Sequence, residues 1–151
     1  MKDHKFLKQL DIDLECYENE SEEAESEPTT IFQHFSTLKN LRSISLNFDG
    51  ARFSDAHLWE LAKQIQYLFR LEELFFNFNE TAIEGDEGLC MLYEGLSEMA
   101  QLRKFHLTMD FTKITDKGFN HIAKSLTNKK ELVELVLSFT ETDITTNNGL
   151  L

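Results

Sequence analysis

Cysteine and proline are scarce in this chain: two thiols, Cys16 and Cys90, and a single proline, Pro28, in 151 residues. Two cysteines cannot build the cross-linked framework of a small secreted domain, and they fit a reducing compartment. No apolar run is long enough to cross a bilayer, and the opening MKDHKFLKQL lacks the apolar stretch of a secretory signal. Bases are short as well. The net charge of −12 excludes the clustered Lys and Arg footprint that a nucleic-acid backbone requires. These absences point to a cytoplasmic chain with neither a membrane nor a nucleic-acid partner.

Clusters that carry chemistry are missing too. The five histidines, His4, His34, His57, His106 and His121, are scattered, with no metal-ligand spacing and no Cys-x-x-Cys. His121 reads as a solvent-side helix residue. Cys90, among Leu89, Met91 and Leu92, reads as a small packing residue. Gly85 and Gly88 flank Asp86 at a helix start, where a phosphate could be cradled; room for the turn is the plainer reading. No metal, no cofactor and no catalytic residue is expected.

What is present is unevenly spread. Nine acids and no base lie between Asp11 and Glu27, and without them the balance is only −3. The run ENESEEAESEP (18–28) reads as a solvated loop, with a docking strip for a basic partner as the alternative. A helix is expected after it, from about Thr30 to Leu38.

The remainder repeats. LRSISLNFD (41–49), LEELFFNFN (71–79), LRKFHLTMD (102–110) and LVELVLSFT (132–140) each start on Leu, with apolar residues at offsets three, five and seven. The starts Leu41, Leu71, Leu102 and Leu132 are 30, 31 and 30 residues apart, and a first copy begins at Leu7, 34 earlier. Five residues past the last apolar residue of each strand stand Phe53, Ile83, Ile114 and Ile144. Then come Ser54, Asp86 and Thr115, placed to cap helices carrying Leu58, Leu61, Ala62 and Ile65; Leu89, Leu92 and Leu96; and Phe119, Ile122, Ala123 and Leu126. The unit is strand, turn, helix, turn, and stacking alike units completes one core. A single domain over 1–151 is expected.

These residues resemble the leucine-rich repeat, L-x-x-L-x-L-x-x-N/C-x-L, with Leu71, Leu74, Phe76 and Asn79 on its positions. The helical second half looks like the ribonuclease-inhibitor-like subclass, although the units here run about two residues longer. The resemblance implies an α/β solenoid with parallel strands on the concave side and helices on the convex side. The asparagine position reads Glu15, Asp49, Asn79, Asp110 and Thr140. An Asn there turns inward to bond backbone groups leaving the strand, so Asn79 is expected to be buried.

Leu10, Ile12, Ile44, Leu46, Leu74, Phe76, Phe105, Leu107, Leu135 and Leu137 are expected in the core, with Phe48, Phe78, Met109 and Phe139 as a second buried column. The intervening residues would line the concave face in three columns. These are Gln9, Ser43, Glu73, Lys104, Glu134; Asp11, Ser45, Phe75, His106, Val136; and Asp13, Asn47, Asn77, Thr108, Ser138. An open sheet face in water is small and polar, and Phe75 departs from that. It is either packed on its cross-strand neighbours or an aromatic anchor for a protein partner. The binding residues would be Phe75, His106, Val136, Glu73, Lys104, Glu134, Asn77 and Ser45. The resemblance thus implies a non-catalytic interaction module. Its alternatives are a GTPase-activating protein and the repeat portion of a longer, for example kinase-containing, polypeptide. The last unit, ending Asn148-Gly149-Leu150-Leu151, stops where a helix is due, which suggests a fragment, self-association, or docking through that end.

Overall fold

The structure, a computed structural model, describes residues 6–14 and 32–145. The acidic run, Cys16, Glu15 and the final residues from 146 lie outside the described residues.

Alternation of apolar and polar residues produces five short strands, each flanked by turn residues. They are β1 (Gln9–Asp13), β2 (Ser43–Asn47), β3 (Glu73–Asn77), β4 (Lys104–Thr108) and β5 (Glu134–Ser138). All pair in parallel in chain order, β1-β2-β3-β4-β5. Helices α1 (Asp55–Ile65), α2 (Glu87–Glu98) and α3 (Asp116–Leu126) follow β2, β3 and β4. The chain is therefore α/β, with one parallel sheet alternating with helices. Pairing is in the register of the sequence columns: Ser45 lies beside Phe75, Phe75 beside His106, and His106 beside Val136.

Because the side-chain period is two, one face of the sheet collects the apolar set. Ile44, Leu46, Leu74, Phe76, Phe105 and Leu107 are buried against Leu58, Leu61, Ile65, Leu89, Leu92, Leu96 and Ile122. Phe48, Phe78 and Met109 form the second buried column, with the Phe48 and Phe78 rings stacked at 5.8 Å. Each such side chain contributes about 1.5–3 kcal/mol of transfer free energy.

Strand exits are tied to the next unit. Gly50, Glu80, Phe111 and Glu141 share one position and all have left-handed backbone, with φ of 66°, 54°, 59° and 53°. That twist aims the N–H of Gly50, Glu80 and Phe111 at the carbonyls of Asn79, Asp110 and Thr140, at 2.9, 2.9 and 2.8 Å. Asn79 is half-buried rather than buried. Its Oδ1 accepts the Asp110 N–H at 2.8 Å, and Asp110 Oδ1 accepts the Thr140 N–H at 2.6 Å. The acceptor role suffices, which is why Asp serves there as well as Asn. Beneath it, the hydroxyls of Thr81, Thr112 and Thr142 donate to the carbonyls of Phe78, Met109 and Phe139.

Helix starts do the same, and here one expectation changes. Thr115 accepts the Lys117 N–H at 3.2 Å and so caps α3. Asp86 makes no side-chain cap to α2. Its carboxylate reaches forward instead, to the Thr115 N–H at 3.0 Å and hydroxyl at 2.6 Å. Asp55 likewise accepts the N–H groups of Glu84 and Gly85.

Between helices the packing is close. A Cβ on Gly88 would stand 2.5 Å from Leu58 Cγ, and one on Gly118 would stand 2.3 Å from Asp86 Oδ1. Gly95 and Ser125, one helical face further on, are buried in the same flank.

The two ends differ from expectation. Of the span 30–38, the first two residues lie outside the described ones; Phe32 is helical, and a turn and a short 3-10 helix, Phe35–Thr37, follow it, so the helix does not run on to Leu38. Leu10 and Ile12 on β1 are half-buried. On β5, Leu135 is 46% exposed, where its counterparts Ile44, Leu74 and Phe105 are fully covered. Leu137 and Phe139 are half-buried, as are Phe119 and Leu126 on α3, and Ala123 is exposed. These side chains lie on the expected face, but among the described residues no further unit covers them.

Candidate functional site: the helix-free face of the sheet

Among the described residues helices cover one face of the sheet, and the opposite face is formed by the intervening strand residues. Their half-buried state on β2, β3 and β4 follows from strand neighbours on both sides and none above. Phe75 and His106 occupy adjacent strands in register, and their rings meet edge to face, with centroids 4.7 Å apart and planes at 89°. His106 Nε2 lies 2.6 Å from Glu134 Oε1. Lys104 Nζ lies 3.1 Å from Glu73 Oε1. Val136 completes the row and is more open than Phe75, because β5 is an edge strand.

The site residues read from the sequence thus divide into two groups. Phe75, His106, Val136, Glu73, Lys104 and Glu134 come together as one patch, an aromatic and an imidazole bordered by the Lys104–Glu73 ion pair and the His106–Glu134 hydrogen bond. Ser45 flanks Phe75 on β2. Asn77 is on the same face but largely committed elsewhere. Its Oδ1 accepts the Asn79 N–H at 3.1 Å and the Thr108 hydroxyl at 2.9 Å. Asn77 holds the strand exit, and it is the least available of the eight.

Sequence reasoning missed a different pair. His121 is not on the solvent side of α3: it is half-buried, with Nε2 2.9 Å from Cys90 Sγ on α2 and its ring 5.7 Å from that of Tyr93. The spacing of 31 residues, one unit, was the available signal. The Gly85 region is also spoken for, since the Asp55 carboxylate occupies the N–H groups that an anion would use.

Among the described residues no cluster of three or more His, Cys, Asp or Glu is arranged to hold a metal ion. No described helix is long and apolar enough to cross a membrane. A shallow depression of about 350 Å³ is lined by Glu72, Gln101, Arg103 and Glu131. It contains no nucleophile paired with a base. Two of the four arginines are held in side-chain pairs, Arg42 with Glu72 and Arg70 with Asn40. The sequence matches no protein-family model and no curated protein.

Proposed function

We propose that this chain is a non-catalytic protein-interaction module of the leucine-rich-repeat type, ribonuclease-inhibitor-like in its helical half and cytoplasmic. In this reading its units form a solenoid, and the helix-free face is the concave one. One observation carries the reading: Phe75 and His106 form an edge-to-face pair on a sheet face that is polar apart from them and Val136. Lys104–Glu73 and His106–Glu134 border it. A partly covered aromatic with a charged rim is the composition of an interface hot spot. The partner is a protein segment offering an apolar side chain for Phe75 and polar groups for the rim.

The test compares Phe75→Ala with Phe76→Ala, neighbours on opposite faces. Partners are captured from native cells with the parent chain and identified by mass spectrometry, then titrated against both variants. Phe75→Ala weakens binding by about 2 kcal/mol or more while costing less stability than a core truncation. Phe76→Ala, whose side chain is 2% exposed, costs about 3–5 kcal/mol in stability. Parent-like binding by Phe75→Ala removes the anchor. GTP hydrolysis by a small GTPase, accelerated by this chain and abolished by Arg52→Ala or Arg103→Ala, would favour the GTPase-activating reading instead.

A further inference from the structure

The hydrogen-bond parity of β5 determines what its free edge offers. Glu134 donates its N–H back to Arg103, at 3.1 Å, and Ser138 accepts at its carbonyl from Met109, at 2.9 Å. Even-numbered residues of β5 therefore spend their backbone groups on β4. Leu135 and Leu137 turn theirs, with the Val133 carbonyl and the Phe139 N–H, toward an edge where no described strand pairs. The same edge carries exposed apolar surface at Val133, Leu135 and Val136. The adjoining flank of α3 presents Phe119, aligned with Leu58 and Leu89, whose side chains face Gly88 and Gly118 of the following helix.

We propose that this edge is closed by the same edge of a second copy, related by a two-fold axis beside Val136, with the two β5 strands antiparallel. Pairing about Val136 sets Leu135 opposite the partner's Leu137 in a hydrogen-bonded pair, and Val133 opposite the partner's Phe139 in another. Every outward backbone group from Val133 to Phe139 then has a partner. Glu134 falls opposite the partner's Ser138, so no like charges meet along the strand. The apolar residues stay on the helix side in both copies, and α3 runs antiparallel to the partner's α3, about 14 Å away across the two β5 strands. The exposed Glu141 and Asp143 beyond one end of β5 come beside the partner's turn carrying Lys129, Lys130 and Glu131. A two-fold interface closes on itself, whereas β1 of one copy on β5 of the next would propagate.

Cross-linking decides the matter. In a Cys16→Ser, Cys90→Ser background, single cysteines are placed in turn at positions 133 to 138 and treated with oxidised glutathione. One thiolate forms the glutathione mixed disulfide, and the second chain's thiolate displaces glutathione. At a non-hydrogen-bonded antiparallel pair the Cα atoms are about 4.5 Å apart. Val136→Cys therefore joins to itself at least ~10-fold faster than Glu134→Cys or Ser138→Cys, within disulfide reach. Sedimentation of the parent shows a monomer–dimer equilibrium. Leu135→Pro, which removes an outward N–H and no bond to β4, shifts it to monomer while circular dichroism stays native. A parent that is monomeric up to about 1 mM, in the millimolar regime of weak association, overturns the proposal. So does equal cross-linking at all six positions, and so does Val136→Cys joining to Asp11→Cys in a mixture rather than to itself.

Discussion

Leu10 and Ile12 on β1 sit at the same register positions as Leu135 and Leu137 on β5, one strand beyond the fully buried middle on either side. The helix layer treats the two ends differently. At the front, α1 packs near the segment carrying Phe32 and Phe35, both buried, and has His57 and Gln64 at two positions along its length. His57 Nδ1 accepts the Ser54 N–H at 2.9 Å, so a large polar residue there is put to use. In α2 and α3 the same positions are Gly88 and Gly95, then Gly118 and Ser125, because a whole helix lies alongside. At the back, α3 shows Phe119 and Ala123, the kind of surface that α1 and α2 bury. Among the described residues, the back has the surface of an interior layer.

Truncation at matched positions should show the largest contrast. Leu74→Ala, fully buried on β3, is expected to cost about 2–5 kcal/mol, and Leu135→Ala, at the same offset on β5, less than half as much. Denaturant unfolding at low protein concentration measures both; equal losses would mean that β5 is covered after all. Next comes the helix flank. Gly118→Ala forces a Cβ against Asp86 and Leu89 and should cost about 1–3 kcal/mol. Ala123→Leu, on the open flank of the same helix, should stay within about 0.5 kcal/mol. A costly Ala123→Leu in dilute monomer would erase the distinction between the two flanks.

The left-handed turn position provides a subtler comparison. Glu80→Gly relieves a backbone conformation that costs an L-residue about 1–2 kcal/mol, against the added freedom of glycine in the unfolded chain. A net gain of about 0.5 kcal/mol is expected at Glu80, held on the next unit, and a smaller one at Glu141. The smallest effect lies in the Glu84–Lys113 pair, 2.7 Å apart on the exposed surface. The Lys113 hydrogen bond and charge lower the Glu84 pKa, and Glu84 in turn raises that of Lys113. The pair's stabilisation is present above the ordinary carboxylate range and is lost as pH falls through the lowered Glu84 value. It is lost again as pH rises through the raised Lys113 value. Glu84→Gln should therefore lower the melting temperature slightly in the neutral region, where the pair is intact, and flatten the acid limb so that variant and parent converge at low pH; a difference that persists in acid would show another role for Glu84.

Strand positions and register were legible because alternation is local: Leu74 and Phe76 announce their face without reference to anything distant. Whether a residue on that face is covered depends on the next unit, which is why Leu135 reads like Leu74 and behaves otherwise. The forward reach of Asp86 was hidden for a related reason. An acid at a helix start satisfies the capping pattern whether it bonds its own helix or the neighbouring one. Gly88 read as room for a turn, whereas its partner is Leu58, 30 residues away. The threonines at 81, 112 and 142 were detectable by the unit spacing alone, but nothing in a single copy marks them. On the candidate surface, the row Ser45, Phe75, His106, Val136 followed from counting. The ring contact and the Asn77 bonds required side-chain geometry.

The forward bonds at the strand exits and helix starts make every internal junction interchangeable. Gly118 faces Leu89, and Gly88 faces Leu58, through the same backbone register. A tandem copy of residues 71–101 inserted after Gln101 would present its Gly88 to the first copy's Leu89 and its own Leu89 to Gly118. Each strand would gain an in-register neighbour. The chain can thus be lengthened by whole units without a new kind of contact, while an insertion of one residue within a strand would turn its apolar row to the wrong face. Growth by duplication is a path this architecture leaves open at every interior boundary.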